Sequence, residues 1–107
     1  MASKASMASP RGTASNTPEN AIKDGVKTIL AMKGIFNYHI LQGIGSYRGV
    51  PDRVMHYKGK VIYLEIKKPS GTLSPKQIDF MEQCAADGVD YWIIKDVQDL
   101  IVKLEEA

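Results

Sequence analysis

The 107-residue chain has one cysteine, one tryptophan, two phenylalanines and two histidines, and these scarcities exclude several kinds of protein. Cys84 alone cannot form an internal disulfide, so a reducing, intracellular and cytoplasmic setting is expected. His39 and His56 have no Cys or His partners at zinc-ligand spacing, which leaves them structural or surface roles, with His39 the better placed to touch a substrate. No apolar run approaches the ~18 residues of a membrane span, and no apolar segment follows Lys4 and Arg11 as in a secretion signal, so no membrane partner is expected. There is no internal repeat or heptad array. Gly43-x-Gly45 lacks both the third glycine of a dinucleotide loop and the Gly-Lys-Ser/Thr ending of a phosphate-binding loop.

What is present is enough for one domain. A hydrophobic fraction of 44% over this length supports a single compact core. Residues 1–16 are small and polar with no apolar face, which predicts a flexible arm, with the domain running from 17 to 107. Thr17-Pro18 opens a helix carrying Ile22, Val26, Ile29 and Leu30 at helical spacing, ended by Gly34. Residues 35–40 form a strand before the glycine-rich loop 42–49. Two strands, 50–57 and 60–67, follow around Lys58-Gly59. Ser74-Pro75-Lys76-Gln77 has the form of a helix capping box, Gly88 closes that helix, residues 89–94 form a strand, and Val97, Leu100, Ile101 and Leu104 mark a last amphipathic helix. Cys84 falls in the stripe Ile78, Met81, Cys84, Ala85, so it reads as a small buried hydrophobe rather than a nucleophile.

Charge is divided along the chain. The net +2 is the sum of +6 over residues 1–60 and −4 over residues 61–107. The basic half includes Arg48 and Arg53, with Tyr47 beside Arg48 in the glycine-rich loop. Cations that neutralise phosphate, with an aromatic ring able to stack on an unpaired base, suit distorted or branched DNA; the ordinary alternative is a solvated charged face. No helix-turn-helix or other sequence-reading module is evident.

The chemistry concentrates in Gly49-Val50-Pro51-Asp52 and, thirteen residues after Asp52, Glu65-Ile66-Lys67. Alternation on a strand puts Ile62, Leu64 and Ile66 on one face and Tyr63, Glu65 and Lys67 on the other. Antiparallel pairing about the 58–60 turn then brings Asp52 beside Glu65 and Lys67. Two carboxylates with a backbone carbonyl, that of Ile66, offer hard oxygen ligands for Mg2+ or Mn2+. Such an ion polarises a phosphodiester and acidifies a bound water, while the Lys67 ammonium orients that water or offsets charge on the phosphorane. Glu-x-Lys and Pro-Asp are each common on solvated strands and turns; their order on adjacent strands is what gives them weight.

Pro51-Asp52 with Glu65-Ile66-Lys67 resembles the PD-(D/E)XK signature of restriction-endonuclease-like nucleases. Together with Lys68 and Leu73-Ser74-Pro75-Lys76-Gln77, these segments resemble the VRR-NUC branch, whose small stand-alone members occur in phages and bacteria. The resemblance spans roughly residues 17–95. It implies an α/β fold with an αβββαβα core, a mixed central sheet flanked by helices. It also implies that Glu19 on the first helix completes the metal site through water, although a carboxylate at a helix N-terminus is by itself an ordinary dipole partner. Gln77 corresponds to the glutamine that follows the Glu-x-Lys strand in this branch. The sequence thus implies a divalent-metal-dependent endonuclease with Asp52, Glu65, Lys67, Glu19 and Gln77 at the site, and with Tyr47, Arg48, Arg53 and Lys68 toward DNA. A homodimeric Holliday-junction resolvase is the form that the resemblance implies. A less selective nicking or flap nuclease, or a catalytically silent DNA-binding module, are the alternatives.

Overall fold

Short polar side chains decide where the helices begin. In the computed structural model, which describes residues 17–107, α1 spans Pro18–Met32 and its Thr17 cap accepts a hydrogen bond from Asn20 N at 3.1 Å. Helix α2, Pro75–Asp87, has the full capping box: Ser74 accepts from Gln77 N, and the Gln77 side chain accepts from Ser74 N. Helix α3, Val97–Glu106, is capped by Asp96, which accepts from Asp99 N at 2.7 Å. These caps satisfy amide groups that the helices themselves leave unpaired. The expected arm, residues 1–16, lies outside the described residues.

Four strands form one sheet in the order β1 (Asn37–His39), β2 (Arg53–Tyr57), β3 (Lys60–Ile66), β4 (Asp90–Ile94). The β1/β2 and β2/β3 pairs are antiparallel and β3/β4 is parallel, connected through α2. The β2–β3 turn uses Lys58 and Gly59, both with positive φ (52° and 79°), the backbone that matches strand twist in a tight hairpin. Arg53 lies opposite Leu64 and Tyr57 opposite Lys60, so Asp52 arrives at the level of Glu65. The order αβββαβα and the mixed sheet are those of the restriction-endonuclease-like fold.

The strands are shorter than the sequence pattern predicts. Pro51 has no amide to give a ladder, so β2 begins at Arg53. β1 is an edge strand whose regular part shrinks to three residues, although Ile40 N still donates to the Asp52 carbonyl.

Helices α1 and α3 cover one sheet face. Val26 and Leu30 of α1 and Leu100 and Leu104 of α3 close over Met55, Ile62, Leu64, Ile66 and Ile94, all buried. Helix α2 packs on the other face against β4. There Phe80 meets Tyr63 edge-on at 5.2 Å and Tyr91 at 6.2 Å between ring centroids. The predicted α2 stripe is only partly used: Cys84 is buried, but Ile78 and Ala85 are exposed, because a lone helix on a half-covered face buries a narrow line of side chains.

Candidate active site

Three segments meet at one end of the sheet: the start of α1, the turn into β2 with the end of β3, and the capping box of α2. Glu19, Lys23, His39, Leu41, Gln42, Asp52, Glu65, Lys67 and Gln77 line an open cleft of about 370 Å3 there.

Asp52 is fixed by backbone. One carboxylate oxygen, Oδ2, accepts from Ile66 N at 2.7 Å, which ties the β2 entry to the last residue of β3. Amide and carbonyl of one strand residue point to the same side, so the Ile66 carbonyl is directed to the side on which Asp52 lies. The other Asp52 oxygen, Oδ1, is 3.3 Å from the Lys23 ammonium, which is also 3.3 Å from Glu19 Oε2. Partial burial lowers the affinity of Lys23 for its proton, but the charge of Asp52 and the hydrogen bonds to Glu19 and Asp52 outweigh it and raise the Lys23 pKa.

Glu65 is the one charged residue type buried among the described residues, with 2% of its surface exposed. Oε2 accepts from Gln77 Nε2 at 3.2 Å and has the Lys67 ammonium at 3.7 Å; Oε1 is buried without a hydrogen-bond partner among the described residues. Because Gln77 Oε1 is already accepting from Ser74 N, its amide is oriented with the NH2 group toward Glu65. Burial, and then the charge of Asp52, push the Glu65 pKa up to about 8, against the lowering effect of Lys67. A buried carboxyl group with one unpartnered oxygen beside a second carboxylate is under-solvated despite Lys67 and Lys23, and has an oxygen free for a further ligand.

That donor set fits a divalent ion. Among the described residues no three His, Cys, Asp or Glu side chains gather as a ready metal cluster. An ion here would therefore take Asp52 and Glu65, with the Ile66 carbonyl and water to complete an oxygen shell. Glu19 lies in the same cleft but holds Lys23.

The DNA-side residues are placed less uniformly. Tyr47 is 72% exposed and meets Phe80 edge-on, 6.1 Å between ring centroids. Arg48 lines an adjoining hollow made by the 42–49 loop and Lys76, and Lys68 is exposed just beyond β3. Arg53 is not brought to the cleft. It lies opposite Leu64 on the α1 side of the sheet, half-buried, with its guanidinium donating to Asn37 Oδ1.

One residue, Lys23, goes beyond those singled out from sequence, and Gly49 has a packing role that its place in the motif did not assign. Lys23 enters the cleft from α1; its only sequence signal is the i,i+4 spacing from Glu19. Gly49, at φ +81°, lies so close to α2 that a Cβ would come within 2.3 Å of the Lys76 carbonyl oxygen and 2.9 Å of Gln77 N. This contact seats the loop before Asp52 directly on the α2 N-terminus.

The same arrangement of elements is found in a solved structure described as a VRR_NUC domain. The two superpose with a TM-score of 0.70 over 84% of this chain and 96% of the other, at 21% sequence identity. No protein-family model and no curated protein sequence matches this chain. The likeness establishes the fold, and it agrees with the resemblance carried by Pro51-Asp52, Glu65-Ile66-Lys67 and Gln77.

Proposed function

We propose that this protein is a Mg2+- or Mn2+-dependent endodeoxyribonuclease selective for branched DNA, acting as a homodimeric Holliday-junction resolvase. The observation that carries the reading is the convergence of Asp52, Glu65, Lys67 and Gln77 on one cleft, with a buried Glu65 oxygen left unpartnered.

Each residue has a definite task in hydrolysis. Asp52 and Glu65, with the Ile66 carbonyl, would hold the divalent ion, which would supply polarisation of the phosphodiester and a more acidic water. Glu19, which holds Lys23 at 3.3 Å, would reach the ion through water, as the family resemblance implies. Lys67, anchored beside Glu65, presents its ammonium to the attacking water and to the charge that builds on phosphorus. Gln77 keeps the Glu65 carboxylate aimed into the cleft. Arg48 and Lys68 meet backbone phosphate, and Tyr47 offers a face to an unpaired base.

One cleft per described chain cuts one strand, so symmetric cutting of a junction requires two copies with opposed sites. The same observation favours a second reading, a nicking or flap nuclease that works with one site. Cleavage of a labelled four-way junction, compared with linear, flap and single-stranded DNA of matched sequence, separates them. Paired incisions confined to the junction, together with a dimeric mass by light scattering, support the resolvase; equal cutting of every substrate overturns it. DNA binding without cleavage in either metal would instead indicate a silent binding module.

A further inference from the structure

We propose that Lys23 is a tethered counter-cation, which bridges Glu19 and Asp52 in the metal-free protein and competes with the divalent ion for Asp52. The inference rests on the reading of Asp52 and Glu65 as metal ligands and adds a control on when the metal binds.

The argument starts from how Asp52 is divided. Its Oδ2 is committed to Ile66 N at 2.7 Å, so Oδ1 is the oxygen left for the cleft, and Oδ1 is the atom that Lys23 meets at 3.3 Å. An ion using Oδ1 would stand a few ångströms from the Lys23 ammonium in its present position, where like charges repel strongly. Lys23 need not leave the site. Glu19, one helical turn before it, is also 3.3 Å from its nitrogen, so a small rotation gives up Asp52 while keeping one carboxylate partner. Asp52 is largely shielded from solvent, with 13% of its side chain exposed against 37% for Lys23, so the contact is screened less than a surface pair.

This explains a feature that the metal reading leaves open. Glu19 and Asp52 line one cleft with Glu65, which burial and Asp52 keep protonated, so the charges of Glu19 and Asp52 need a partner in the metal-free chain. Lys67 is placed on Glu65, and Lys23 is placed on the other two. The cleft therefore has its own positive charge for each part of the acidic set, and the part nearest Asp52 is on a flexible stem that can move.

The test uses Mn2+ alone, without DNA, titrated into the full chain at low salt and followed by calorimetry or by loss of the free Mn2+ electron paramagnetic signal. Lys23→Met keeps the apolar stem and removes the charge; Lys23→Arg keeps the charge. Roughly two- to fivefold tighter Mn2+ binding by Lys23→Met, with Lys23→Arg near the parent, is expected from the strength of such pairs. Equal or weaker binding by a folded Lys23→Met, while the parent binds Mn2+ and Glu65→Gln does not, would show that Lys23 merely joins α1 to the hairpin. Failure of parent and Lys23→Met alike to bind Mn2+ would remove the metal reading and the inference together. If Lys23→Met does not fold, the NMR resonance of the Lys23 ammonium in the parent decides. It must shift as diamagnetic Mg2+ is added, and an unmoved resonance at a Mg2+ level that shifts the Ile66 amide overturns the proposal.

Discussion

Leu64 and Glu65 are neighbours on β3 and both are buried, yet they belong to opposite physical regimes. Leu64 points into the layer between the sheet and helices α1 and α3, where it packs in the buried apolar cluster and burial is the source of stability. Glu65 points to the side from which α2 reaches it, and its burial is costly: it has an unpartnered oxygen and a raised pKa. The alternation of one strand thus separates the face whose burial holds the fold together from the face that buries a carboxyl group at a cost. Strain of this kind, maintained by a well-packed opposite face, is characteristic of sites that bind or react.

Substitutions at the two positions should therefore move stability in opposite directions. The largest effect is on chemistry: Glu65→Gln or Asp52→Asn should lower metal-dependent DNA cleavage by roughly a thousandfold or more, measured at saturating DNA. Lys67→Ala should cost about 10²- to 10³-fold in turnover while leaving Mn2+ affinity largely intact; turnover at the parental rate would remove Lys67 from the reaction. On the other face, Leu64→Ala should cost about 2–5 kcal/mol of stability by urea denaturation.

Glu65→Gln gives the sharpest contrast in stability. Folded Glu65 keeps its proton up to about pH 8, whereas in an unfolded chain it is lost near 4.5. The folded state therefore binds more protons between these values, and stability from this group is fully present below pH 4.5 and declines as pH rises through about 8. Metal-free Glu65→Gln should be more stable than the parent at pH 8 and equal to it below pH 4.5, as read from thermal unfolding in EDTA. A parent that gains stability across this range would contradict the assignment.

Smaller effects probe the contacts that aim the site. Gly49→Ala combines a positive φ with a clash against the Lys76 carbonyl and should cost about 1–3 kcal/mol, with a loss of cleavage because Gln77 would be pushed off Glu65. Ser74→Ala removes the α2 cap at about 1 kcal/mol and loosens Gln77 more mildly.

The order of elements, the caps of α1 and α2 and the pairing of Asp52 with Glu65 are legible in the sequence because each depends on local signals: the Thr17-Pro18 start, strand alternation, the Lys58-Gly59 turn and the Ser74/Gln77 box. The same local geometry places Arg53 one residue after Asp52 and so across the sheet from it, a consequence visible only once the register is known. The Lys23 bridge and the Gly49 contact depend on how α1 and α2 sit against the hairpin, and no pattern within a single segment encodes that packing. Ile78 and Ala85 fit a helical stripe, but the extent of their burial depends on what covers that face of the sheet.

The most direct test of the account is hydrolysis of a labelled four-way junction by the parent protein and by Glu65→Gln, each with Mn2+ and with EDTA, after circular dichroism has shown that both are folded. The account predicts incision only by the parent and only with the metal. Undiminished cutting by Glu65→Gln, or by the parent in EDTA, would contradict the assignment of Asp52 and Glu65 as the centre of the site.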